Sequence, residues 1–165
     1  MNVKLWEIFR RITHGVYVIG VSDGQNHNAF TAACVMQVSF DPVLLALGIN
    51  PRHSSYATLK RGAVFSVNVL DHEQIDLVKH FGQPAPGHNK LEDIAWTAQK
   101  TGAPVLNDAL AYVECEAIAQ YPAGDHQLIL GRVVNAELLR AEAAPLLYRD
   151  VSELDGSAAL FPKQL

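Results

Sequence analysis

Hydrophobic positions along this chain of 165 residues change period several times, and each change marks an element. Leu5, Ile8, Phe9 and Ile12 recur at helical spacing, so a short amphipathic helix is expected over 4–12. Gly15 opens the β-branched run GVYVIGV, and the polar stretch SDGQNHN after it carries the turn pair Asp23-Gly24. Strands are expected at about 28–33, 34–40 and 43–49. Asp41-Pro42 makes a corner before the last of these, because proline has no N–H to give to a ladder. Ser54 and Ser55 are both good N-caps for a helix over about 54–61, ending at Gly62.

FSVNVL, residues 65–70, reads as another strand. Asp71 followed three residues later by Gln74 is a capping box for HEQIDLVKHF, which Gly82 closes. QPAPGHN is a loop and TGAPVLND is rich in turn residues. Two long strands, about 110–120 and 126–138, are joined across Tyr121–Asp125, and a last short strand, PLLYR, precedes a polar tail. Six or seven strands with only short helices point to a mainly β fold, a closed antiparallel barrel. No GxGxxG follows a strand and no P-loop is present, so a dinucleotide-binding βαβ sheet is excluded.

Composition narrows the function classes. Apolar residues make up 49% of the chain and charged residues 18%, which suits a single folded domain over 1–165. The net charge of −4 offers no basic stripe for a phosphate backbone, so nucleic acid is not an expected partner. The seven histidines form no HExxH, and Cys34 and Cys115 form no CxxC, so no metal is expected. Two cysteines make no disulfide framework, and MNVKLWEIFRR has no apolar stretch before a cleavage site. No window approaches about 18 apolar residues, so the expected setting is cytoplasmic, away from any membrane.

Three places carry candidate chemistry. Thr31-Ala32-Ala33-Cys34 puts small residues between two β-rich runs, where they either let strands cross closely or let a flat ring approach exposed N–H groups. NPRHSSYATL puts Arg52, His53, Ser54 and Ser55 at a helix start, which is either a capped surface helix or a seat for an anion. Gly124-Asp125-His126 stands at a strand entrance, where the histidine either closes the turn or projects over a pocket. Ser39 lies in no G-x-S-x-G elbow, which excludes serine hydrolysis of that kind.

In order, THGVYVIGVSDG, NAFTAACVMQVSFDPVLLAL, NPRHSSYATL, GAVFSVNVL, TGAPVLNDALAYVECEA and GDHQLILGRVV ending in PLLY resemble the flavin reductase family with the FMN-binding split-barrel fold, over about 9–149. TAACVMQVSFDP also resembles the reductase-like module of some flavodiiron proteins. The resemblance implies a six- to seven-stranded antiparallel Greek-key split barrel that forms a homodimer and binds FMN, or FAD. It further implies that NAD(P)H reduces the flavin, which passes electrons to free flavin, a partner monooxygenase or another acceptor. The alternatives are a flavin carrier or sensor with no turnover of its own, and a related split-barrel binder of another cofactor such as haem or pyridoxal phosphate. By position, Thr31, Ala32, Ala33 and Cys34 would line the ring, with Gln37 and Ser39 on the same segment. Arg52, His53, Ser54 and Ser55 would lie near the phosphate, and His80, Phe81, Gly82 and Lys90 would close the site. His126 matches the family's GDH histidine on the nicotinamide side. Ala29 stands where many relatives have glycine, and Cys34 where serine is common.

Overall fold

A computed structural model describes residues 5–154 and 157–162. Among the described residues nine strands form: β1 (Tyr17–Ser22), β2 (His27–Ala32), β3 (Val35–Phe40), β4 (Val43–Ile49), β5 (Val64–Val69), β6 (Trp96–Ala98), β7 (Pro104–Leu106), β8 (Ala111–Ala123) and β9 (His126–Leu138). Seven make one antiparallel sheet in the order β2-β1-β5-β8-β9-β4-β3, while β6 and β7 pair as a separate ribbon. The helices are short: α1 (Leu5–Phe9), α2 (Ser54–Gly62), α3 (Ile75–Gly82) and α4 (Tyr148–Val151). This is the mainly β, antiparallel architecture expected from the sequence.

Both faces of the central strands are buried, which is why they read as nearly continuous apolar runs. Ile19, Val21, Phe30, Leu47, Ile49, Phe65, Val67 and Ile129 pack together as one core. The alternate residues Val16, Val18 and Ala29 pack on the other face against Val78 and Phe81 of α3, Leu106 of β7 and Leu146 and Val151 near α4. Ala29 is therefore a core residue of this second cluster. The ribbon is locked to that face by the two polar residues of β5. Asn68 Nδ2 donates to Val18 O at 3.0 Å while its Oδ1 accepts from Leu106 N at 2.8 Å. Ser66 Oγ donates to Pro104 O. Gly20 makes room, since a Cβ there would collide with Pro104 O.

Several local expectations differ from what forms. Of the helix expected over 4–12, Lys4 lies outside the described residues, the helix spans Leu5–Phe9 and ends before Ile12, and Ile8, Phe9 and Ile12 remain exposed. PLLYR makes isolated bridges, Gly15 with Leu147 and Asp71 with Pro145, before α4 begins at Tyr148. β6 and β7 have three residues each, too few to show alternation. The N-cap of α2 is His53, whose Nδ1 accepts from Ser55 N at 3.2 Å, so neither serine caps the helix. The left-handed residue after α2 is Ala63, with φ 53°, and Gly62 is needed because a Cβ there would collide with Ser22 O. Only half of the capping box closes at Asp71. Gln74 Oε1 accepts from Asp71 N at 2.9 Å, but Asp71 Oδ1 takes Glu73 N and the helix starts at Ile75.

Candidate functional site

β2 and β3 are the two ends of the sheet order, and the chain passes from one to the other through Ala33-Cys34 alone. Each outer strand has one ladder neighbour, so every second N–H and C=O points away from the sheet. The linker is held in place by its carbonyls. Gly48 N donates to Cys34 O at 2.8 Å, Val35 N to Ala33 O at 2.9 Å, and His14 Nδ1 to Ala33 O at 3.2 Å. Thr31 Oγ1 donates to Val78 O at 2.8 Å, tying the end of β2 to α3. A cavity of about 700 Å³ opens at this split, a volume within the usual range for small-molecule sites.

Of the residues expected at the site, Thr31, Ala32, Ala33, Cys34, His53, Phe81, Gly82 and His126 line this cavity. Seven others do not. Gln37 and Ser39 lie further along β3, where Gln37 Nε2 donates to Ser39 O at 3.2 Å across a register shift. Ser54 is exposed, while Ser55 is fully buried and its hydroxyl has no protein partner. Arg52 is exposed, and its charge helps to hold the Asp125 carboxyl below the usual range, after the hydrogen bond and charge of His126. His80 and Lys90 form the layer behind Phe81. His80 Nε2 donates to Lys90 O at 2.8 Å, and Lys90 Nζ donates to Phe81 O at 2.9 Å, so the loop after α3 is pinned at both ends. The Lys90 ammonium thereby sits at the carbonyl end of α3, where a cation is favoured. Its burial pushes its pKa down.

Two cavity histidines carry opposite tautomers when neutral. His53 Nδ1 accepts a backbone N–H, so its proton is on Nε2. Burial, and then the Lys90 charge, hold it below the ordinary imidazole pKa, so the ring is neutral at pH 7. His126 Nδ1 lies 2.7 Å from Asp125 Oδ1, an acceptor, so the proton is on Nδ1 and Nε2 is left as an acceptor. The contact arises because Asp125 belongs to the turn at Gly124, with φ 66°, rather than to the strand.

The opposite wall, which sequence reasoning missed, comes from both ends of the described chain. Trp6, Phe9, Arg10 and His14 meet Tyr148, Ser152 and Phe161 around the cavity. Phe9 packs on Phe161 with centroids 5.4 Å apart, and His14 stacks on Tyr148 at 4.6 Å. Arg10 lies 5.3 Å over Trp6 and pairs with Glu153 at 3.2 Å. The apolar stripe of residues 5–12 was the available signal, but its target, some 150 residues away, has no periodic pattern. Ser152 Oγ is buried on this wall without a protein partner. A buried hydroxyl without a bond is costly, and a ligand rich in carbonyl and hydroxyl groups would supply one.

Residues 9–154 match the model of the flavin reductase like domain. The chain belongs to that family. Among its relatives, the NADH-dependent FMN reductase AsuE2 of Streptomyces nodosus subsp. asukaensis is 34% identical over 136 residues, 81% of this chain and 74% of that protein. The reductase subunit HsaB of a flavin-dependent monooxygenase from Rhodococcus jostii is 31% identical, over 82% of this chain and 68% of its own. The NADH:FAD oxidoreductase SgcE6 of Streptomyces globisporus superposes with a TM-score of 0.79 at 28% identity, covering 85% of this chain and 84% of that one. The chain spans about a quarter of the length of the Nostoc diflavin flavoproteins that it also matches. The fold seen here is thus the split barrel of this family, with the cavity at its split.

Proposed function

We infer that this chain is an NAD(P)H-dependent flavin reductase of the FMN reductase type, with FAD as a second possible flavin. The observation that carries the reading is the cavity at the Thr31–Cys34 split, which has one wall of small residues and polar groups placed around it. A bound flavin would supply the redox chemistry, taking hydride from NAD(P)H and handing electrons to free flavin, a partner monooxygenase or another acceptor. The chain's own residues hold and orient. Thr31–Cys34 give a planar ring an unobstructed face, because none carries a large side chain. Backbone dipoles there are fixed by the sheet, so they stabilise negative charge on a reduced ring without reorganising. The exposed start of α2, with Arg52 and Ser54 just outside the cavity wall, is the proposed phosphate end, while Ser55 is buried beneath it and Lys90 stands behind Phe81. Nε2 of His126 is an acceptor suited to an amide N–H such as that of a nicotinamide carboxamide. The carboxylate of Asp125 keeps that ring in one tautomer, which aligns the hydride donor.

A homodimer is part of the reading. β3 continues directly from the cavity wall, is an outer strand, and exposes Met36 (64%) and Phe40 (86%) together with Val38. Such an apolar edge invites a second copy. No helix of the described residues is long and apolar enough to cross a membrane, and a cytoplasmic setting is proposed with the rest. The test is anaerobic: purified protein is titrated with FMN by fluorescence quenching, then mixed with NADH or NADPH while flavin absorbance is followed. Quenching with bleaching is expected, and no bleaching with either nucleotide would reject the reductase. Light scattering should report twice the 18.0 kDa chain mass, and a monomer with flavin bound would reject the dimer.

A further inference from the structure

The linker Ala33-Cys34 joins the two outer strands of the split, and the protein takes up both of its carbonyls. Cys34 O accepts from Gly48 N at 2.8 Å, while Ala33 O accepts twice, from Val35 N at 2.9 Å and from His14 Nδ1 at 3.2 Å. A carbonyl oxygen has two lone pairs, so Ala33 O is saturated, and because it can only accept, the His14 proton is on Nδ1. His14 is itself held twice by one residue. Its ring stacks on Tyr148 with centroids 4.6 Å apart, and its own carbonyl accepts from Tyr148 N at 2.9 Å. It therefore fastens the small-residue wall to the wall that carries Tyr148 and Ser152, and all of these line one cavity. A planar trans peptide whose carbonyl is held cannot turn, so the dipole of the Ala33-Cys34 unit keeps one direction. A ring that gains negative charge on reduction is repelled by the negative end of a carbonyl, and a fixed N–H donor offsets that end without reorganising. We propose that His14 is a positioning residue of the reductase: its Nδ1–H locks the Ala33-Cys34 peptide and offsets the Ala33 carbonyl, so that the site favours reduced over oxidised flavin more than the backbone alone would. This rests on the flavin reading above and deepens it. His14 needs no contact with the ring, because it acts through the peptide.

Two substitutions separate the donor from the stack. His14→Phe keeps an aromatic face for Tyr148 and has no donor, whereas His14→Asn places an amide nitrogen near the position of Nδ1 and gives up the stack. Each protein is titrated anaerobically with oxidised FMN and with dithionite-reduced FMN by calorimetry, and the ratio of the two dissociation constants is read. His14→Phe should bind oxidised FMN within about twofold of wild type and lose about fivefold in its preference for the reduced form, the size of one net hydrogen bond. For a two-electron couple that is a potential lower by about 20 mV. His14→Asn should restore the wild-type ratio within about twofold, even where its melting temperature falls. A merely structural His14 would lower the melting temperature in both variants and leave the ratio alone. An unchanged ratio in folded His14→Phe protein would therefore overturn the proposal, as would an equal loss in His14→Asn. Should His14→Phe fail to fold, His14→Leu, which also lacks the donor, decides in its place by the same two outcomes. A wild-type protein that binds neither form of FMN would reject the flavin reading, and this inference with it.

Discussion

Thiol chemistry at Cys34 tests where the flavin ring lies without any turnover. Neither cysteine is in a disulfide. Cys34 is exposed and lines the cavity between Ala33 and Gly48, whereas Cys115 is buried inside the barrel. Burial, and then the neighbouring Glu114 charge, push the Cys115 thiol up to about 12. At pH 8 a thiol of that pKa is ionised in only about one molecule in ten thousand, and the thiolate is the reactive form. Iodoacetamide should therefore add one carbamidomethyl group per chain, at Cys34, while Cys115 stays unmodified. A ligand over Cys34 protects it in proportion to occupancy. With free FMN at ten times its Kd, about one site in eleven is open, and the alkylation rate should fall about elevenfold. Intact-mass spectrometry over a time course measures both quantities, and peptide mapping locates the adduct. An unchanged alkylation rate in protein whose FMN fluorescence is quenched would refute the placement of the ring on Thr31–Cys34. Rapid labelling of Cys115 would refute the burial argument.

Replacing His126 with alanine should leave FMN affinity within about twofold and slow anaerobic reduction by NAD(P)H about tenfold, a barrier change of about 1.4 kcal/mol. A lower melting temperature with an unchanged reduction rate would instead make it a turn residue. Asn68→Ala strips the acceptor from the buried Leu106 N–H and should cost about 1–3 kcal/mol, or about 2–4 °C of melting temperature per kcal/mol, with FMN affinity intact. A shift below about 1 °C would show that the ribbon does not depend on that side chain. Glu114 is fully buried, yet its carboxylate accepts from Asn135 at 2.7 Å, from Thr101 N and Oγ1 at 2.8 and 2.7 Å, and from Lys100 N at 3.1 Å. Burial raises its pKa, but the hydrogen bonds outweigh it and the net shift is downward. Because the folded value lies below the unfolded one, its stabilisation is present above about pH 4.3 and is lost as pH falls below that. Thermal melts of wild type and Glu114→Gln should therefore converge as pH drops from 6 to 3.5, and a constant difference would contradict this.

What the linear chain determined was local: the period of each strand, the small-residue stretch at 31–34, the helix starting near 54 and the turn before His126. Each is a short-range property, set by backbone sterics and by which neighbours share a face, so it survives without knowledge of the fold. The tertiary structure decided the rest. It made His53, rather than Ser54 or Ser55, the cap of α2, because Phe30 and the cavity hold the imidazole where Nδ1 meets Ser55 N. It brought Trp6, Phe9 and Arg10 against Ser152 and Phe161, a pairing between ends of the chain that share no periodic signal. It buried Ser66, Asn68 and Glu114, which alternate with apolar residues in β5 and β8, as anchors for short segments. It also placed Lys90 one layer behind the cavity rather than on its wall. Burial and partner identity depend on atoms distant in sequence, and those two quantities determine which polar side chains bind a ligand and which bind the protein itself.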